Sequence, residues 1–155
     1  MSLQDYAQRK YDYLGLRDVN PLKEAKLGLE LFNKTTSGQI CTGVQKLAQR
    51  WLLEFMTETG SMPGLPERGC DFMRYVRQGR LRTQIEIQAL FSSTELDIRR
   101  NLQREEYAGM PDDERINSAA LLASAILPGY LQIRVKINNR QGDTREIIVP
   151  VATLP

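Results

Sequence analysis

Eight carboxylates are the first residues to weigh as chemical groups: Glu54, Glu58, Glu67, Asp71, Glu86, Glu95, Asp97 and Glu114. A pair of acids flanking a glycosidic bond is all that a lysozyme-type glycan hydrolase requires. Most of these acids fall on the wet faces of expected helices beside Arg or Lys, where they read as solvated or salt-bridged surface groups. Their spacing along the chain defines no acid–nucleophile pair. The sequence contains no histidine, which removes the commonest general base and metal ligand. Histidine-dependent triads and dyads are therefore excluded. Cys41 and Cys70 are the two cysteines; a disulfide or a thiol nucleophile is one use for them, and two reduced, packed side chains are the plainer one. The glycines of the loop 59–72 do not form a phosphate-binding pattern after a strand.

Basic residues form the second constellation. Between residues 68 and 104 stand Arg68, Arg74, Arg77, Arg80, Arg82, Arg99, Arg100 and Arg104 against Asp71, Glu86, Glu95 and Asp97, an excess of 8 − 4 = +4. Such a stretch suits a solvated helix face, a protein interface or a phosphate backbone. No recognisable nucleic-acid module accompanies it, and the whole chain carries only +2. The expectation is no nucleic acid, no cofactor and no enzyme. No apolar run reaches the roughly 18 residues of a membrane span, and Met1 to Lys10 has no signal-peptide core. A protein made and kept in cytoplasm follows.

The elements that position these groups are legible in the periodicities. At 155 residues and 41% apolar content the chain fits one core. Residues 2–13 read as a short helix with Tyr6 and Tyr13, broken by Gly15, Asn20 and Pro21; residues 1–21 form an N-terminal arm and 22–155 the domain. Residues 25–32 alternate as a half-buried strand. Thr42 and Gln45 spell a capping box ahead of a helix whose stripe is Val44, Leu47, Ala48, Trp51, Leu52, Phe55 and Met56. Lys46, Gln49, Arg50 and Glu54 take its wet face, and Gly60 stops it. A rigid Pro- and Gly-rich loop, 59–72, leads to a short helix at 71–78 and a long one at 81–106. In the long helix Ile87, Phe91, Ile98 and Leu102, beside Leu81 and Ile85, imply cover on more than one side. Residues 115–127 are ambiguous: their Ala and Leu favour a helix, while the lack of a cap and the flanking Pro111 and Pro128 fit a strand as well; a strand is chosen because the next two need a partner. Leu131, Ile133, Val135 and Ile137 then alternate with polar residues, NNRQGD turns the chain, and REIIVPV returns it. Pro150 belongs at an edge or a strand end. The fold class is α+β: three to four helices packed with a small, mostly antiparallel sheet that ends in a C-terminal β-hairpin. A hairpin near a chain end leaves a strand at the sheet's edge, where another chain can add to it.

The run from residue 38 to 72, GQICTGVQKLAQRWLLEFMTETGSMPGLPERGCDF, resembles the baseplate-wedge family of contractile bacteriophage tails, whose members are called sheath initiators and which has a relative in type VI secretion baseplates. The shared pattern is a helix ending in a threonine–x–x–Gly–Ser–x–Pro loop, then a proline and a glycine before an aromatic: here Thr57, Gly60, Ser61, Pro63, Pro66, Gly69 and Phe72. The resemblance covers roughly residues 24–152. Where the family carries Glu-Pro-Arg, this chain has Asp113-Glu114-Arg115 and then Ile116; acid and arginine are kept and the proline is not.

The resemblance implies a non-enzymatic structural part of a virion's tail baseplate, made in the host cytoplasm and present as several copies in a ring. Its implied partners are the tail sheath protein, other wedge proteins and the tail tube. Strands of the first sheath subunits would pair with the C-terminal strands, so the implied partner-binding residues are Leu131, Ile133, Val135 and Ile137, then Arg145, Ile147, Val149 and Val151. Arg115 is implied to hold a pairing between wedge proteins, with Pro63 and Gly69 in the loop.

Overall fold

In the computed structural model, which describes residues 12–13 and 40–153, three helices lie against one face of a three-stranded antiparallel sheet. The strand expected at 25–32 lies outside the described residues, as does the helix expected at 2–13 apart from its last two residues. Those two are extended instead: β1 (Asp12–Tyr13) pairs antiparallel with β2 (Ile40–Cys41). A helix that short is marginal alone, and here backbone pairing with the segment ahead of the next helix prevails.

Helix α1 (Gly43–Met56) is the central element, touching the other two helices, the last two strands and the turn before the sheet. Thr42 occupies its N-cap position, but its side chain makes no capping bond and the expected box with Gln45 does not form. Gly43 sits at φ 62°, outside the helical region, and its N–H is the first of the helix. That N–H donates instead to Glu114 Oε1, 3.4 Å away. The apolar stripe packs as expected through Leu47, Ala48, Trp51, Leu52 and Phe55, whereas Met56 is 43% exposed. The expected wet face is corrected: Lys46, Gln49 and Glu54 are buried and Arg50 is half-buried. The helix is packed on most sides, with only Leu53 and Met56 exposed, so its polar residues need partners inside the protein. The helix ends at Met56, four residues before Gly60.

Helix α2 (Phe72–Arg77) is followed by Gly79 at φ 64°, as the sequence suggests. Helix α3 (Gln84–Arg104) starts later than expected, at a capping box formed by Thr83 and Glu86. Ile87, Phe91, Ile98 and Leu102 are buried, but Ile85 is 81% exposed. The helix is covered on more than one side, by β3, α1 and α2, and keeps an outer face in solvent. Trp51 stacks on Phe55 at 5.1 Å, and Phe55 meets Phe72 at 4.9 Å; each buried ring contributes roughly 2–3 kcal/mol.

A 3-10 turn at Asp112–Glu114 leads into the sheet, whose order is β3 (Ile116–Leu127), β4 (Tyr130–Asn139), β5 (Thr144–Ala152). The strand assignment for 115–127 and the hairpin are both borne out. The inward rows of β4 and β5 are buried against the helices, while Arg134 and Glu146 pair on the outer face at 3.2 Å. Pro150 lies on β5, at the sheet's edge, as expected.

Candidate functional site

The hairpin ladder decides which backbone groups of β5 face outward. Asn139 N–H donates to Asp143 C=O at 3.1 Å, and Thr153 N–H donates to Gly129 C=O at 3.0 Å. Between these two ends the register is unbroken, from Asn138↔Thr144 to Tyr130↔Ala152. Antiparallel pairs alternate between bonded and non-bonded, so Arg145, Ile147, Val149 and Val151 bond to β4. The backbones of Thr144, Glu146, Ile148, Pro150 and Ala152 then point away from it. Pro150 occupies a position whose N–H would have no partner in the hairpin, which is why a proline is tolerated there. Among the described residues no strand covers this edge.

The opposite edge is built differently. The β3–β4 register shifts twice, between Ile116 and Ser118 and between Leu121 and Ala123. Three side chains of α3 reach the outward backbone of β3. Glu95 Oε1 accepts from Ala119 N–H at 3.2 Å, Gln84 Nε2 donates to Ser124 C=O at 2.9 Å, and Arg99 Nη1 donates to Asn117 C=O at 3.5 Å.

The sequence-expected contact residues separate into groups. Leu131, Ile133, Val135, Ile137, Ile147, Val149 and Val151 all have buried side chains in the hydrophobic core. What this hairpin leaves at the surface is therefore its backbone edge and outer face, not those side chains. Arg145 is half-buried and engaged within the chain. Arg115 donates to the carbonyls of Tyr107 (3.1 Å) and Ala108 (3.3 Å), binding its own loop. Glu114, beside it, pairs with Lys46 Nζ at 2.7 Å inside the core. Pro63 is exposed in the loop, while Gly69 is buried.

Gly69 belongs to a clamp. Glu54 accepts from Gly69 N–H at 2.9 Å, Asn101 Nδ2 donates to the carbonyls of Glu67 (3.1 Å) and Gly69 (3.4 Å), and Arg68 pairs with both Glu54 and Glu105. Arg50 adds a 2.6 Å bond to Glu105. Burial alone would raise the Glu105 pKa, but the hydrogen bonds from Arg68 and Arg50 outweigh it and hold the carboxyl below its ordinary value.

The remaining chemical candidates are engaged in the same way. Glu95 and Glu114 are buried and bonded to backbone or Lys46, contrary to the expectation of wet faces. Arg99 pairs with Glu95 and Arg100 with Asp97 within the stretch, and Arg74 and Arg77 share Glu58 from outside it, so its arginines are largely held in ion pairs. Cys41 and Cys70 are buried and form no disulfide, and burial pushes the Cys70 thiol up to about 12, far from a nucleophile's range. A groove of about 320 Å³ lies between the end of α2 and the base of the hairpin, lined by Val76, Leu81, Ile126 and Leu131 with Arg82 and Thr153. None of the described residues lining it is an acid. Among the described residues no helix is long and apolar enough to cross a membrane.

Sequence reasoning missed the role of Gln84, Glu95 and Arg99. The Glu95/Arg99 spacing of four and the Thr83–Glu86 box were signals for the helix that carries them. Comparison with protein-family models, curated proteins and solved structures returns no match for this chain.

Proposed function

We propose that this protein is a structural, non-enzymatic component of a contractile phage tail baseplate that starts sheath assembly by pairing the edge of β5 with a strand of the first sheath subunit. The observation that carries the reading is the regular, uncovered outer edge of β5 among the described residues. It accompanies the Thr57–Phe72 loop pattern noted in the sequence. Backbone bonds along a strand edge give affinity, and alternating side chains give register. The partners are the tail sheath protein, neighbouring wedge proteins and the tail tube, and the location is the virion. Copies in a ring would present their β5 edges as a template.

The test is seeding of purified sheath subunits from the same tail, followed by light scattering and electron microscopy. Removing residues 143–155 would strip Ile147, Val149 and Val151 from the core, so the variant of choice is Ile148→Pro. It deletes one outward donor while leaving the hairpin bonds in place. The wild-type protein should shorten the lag, and Ile148→Pro, folded by circular dichroism, should lose most of that effect. Seeding that survives the substitution overturns the edge, and absence of seeding by the wild type overturns the initiator reading.

A further inference from the structure

We infer that the sheet is a one-ended template: β5 takes a partner strand while α3 closes β3 against one. Edge strands invite pairing unless bulges, charges or covering elements prevent it. The two edges of this sheet differ in register and in cover: the charges and the proline, Arg145, Glu146 and Pro150, stand on β5, whereas β3 carries none and is closed by its shifts and by α3. β5 pairs with β4 through nine residues without a register shift. β3 has two shifts, each of which bends the strand and spoils a continuous row of donors and acceptors.

The register of β4 fixes which β3 groups face out. Residues of β4 with odd numbers bond to β5, so Ser118, Ala120, Ala123, Ala125 and Leu127, opposite even-numbered partners, bond to β4. Ala119 and Ser124 consequently point outward, and these are two of the residues that α3 engages, through Glu95 and Gln84. Arg99 adds Asn117, at the first shift, and is itself 3.6 Å from Glu95. One helix therefore supplies an acceptor to an outward donor and donors to two outward acceptors. Packing alone would not require that match.

The strand that fits β5 follows from its surroundings. Its inward side chains would extend the row of Ile147, Val149 and Val151 and must be apolar. Its outward ones join Glu146, Ile148 and the Arg134–Glu146 pair and are polar or mixed. The partner is an extended segment of another polypeptide with alternating apolar residues. The inference rests on the reading of β5 as the docking edge, but its test needs no sheath protein, so the two can fail separately.

Hydrogen exchange on the full chain should show the Ala119 amide exchanging about 100-fold more slowly than those of Glu146 and Ile148. Equal rates would overturn the inference. The second arm opens β3 with Gln84→Ala and Arg99→Ala, and then with Glu95→Ala added. Each opened variant keeps the two shifts but frees the unshifted stretch from Ala123 to Leu127, and β5 of one copy can add there to β3 of the next in a head-to-tail series that does not close. The weight-average mass by sedimentation should rise with concentration for the opened variants, remain constant for the wild type, and return to the wild-type value when Ile148→Pro is added. A folded, opened variant that keeps the wild-type mass overturns the inference. Association that persists with Ile148→Pro overturns it as well, because the contact would then not be β5 on β3. Should the triple variant lose its fold, the double variant and the wild-type exchange rates decide.

Discussion

A single methyl group at position 69 would place a carbon 2.3 Å from the Thr57 carbonyl oxygen, on a backbone held at φ 87°. Neither condition suits any residue but glycine. The bond from Cys70 N–H to that same carbonyl, at 2.9 Å, closes the loop, so the clash cannot be relieved without opening it. Gly69→Ala should therefore lower unfolding stability by about 3 kcal/mol or more, read as a fall in the urea midpoint. Pro63, exposed in the same loop, should tolerate alanine far better. The loop pattern in the sequence marked both residues but not the difference between them, because burial depends on what packs above. Glu54 shows the limit more sharply. On a helical wheel it belongs to the polar face, yet it is only 3% exposed. Arg68, Gly69 and Asn101, its partners, come from a loop and a second helix whose approach no local periodicity encodes.

Helix α3 begins where Thr83 accepts from Glu86 N–H (3.2 Å) and Glu86 accepts from Thr83 N–H (2.9 Å). Thr83→Ala should cost about 1 kcal/mol, the usual effect of losing an N-cap. Because Gln84 is the next residue, the same change should speed exchange at the neighbouring end of β3. A loss of stability with no change there would separate the cap from the strand contact. Strands β4 and β5 were legible because their alternation and turn residues are local, whereas β3 followed only from their need for a partner. The edges were only half legible: Pro150 signalled an edge, but nothing in the alternation of 115–127 told that its outer backbone is occupied. The missing donor at Pro150 also marks position along β5. A carbonyl of an incoming strand set against it would lose a bond, at a cost of about 1–3 kcal/mol if buried, which penalises slippage of that strand.

Glu105 joins α1 through Arg50 and the 59–71 loop through Arg68, so part of the molecule's response to acid runs through it. Its carboxyl titrates below 4.5 when folded, so between that value and 4.5 the unfolded chain holds more protons than the folded one. Its contribution is complete above 4.5 and declines as pH falls through the folded value. Glu105→Gln should flatten the acid limb of melting temperature against pH; an unchanged slope would place the acid sensitivity elsewhere. The α+β class and single core were readable from length and periodicity, whereas this cross-chain wiring was not, since its members lie 37 and 55 residues apart. The most distant of these links has a consequence in time. The amide of Gly43 finds its acceptor on Glu114, 71 residues further along. At a synthesis rate of about 5–20 residues per second, the central helix leaves the ribosome roughly 4–14 seconds before the group that completes its first turn. During that interval the helix waits with its start unfinished, and it is the arrival of the residues just ahead of the sheet that closes it.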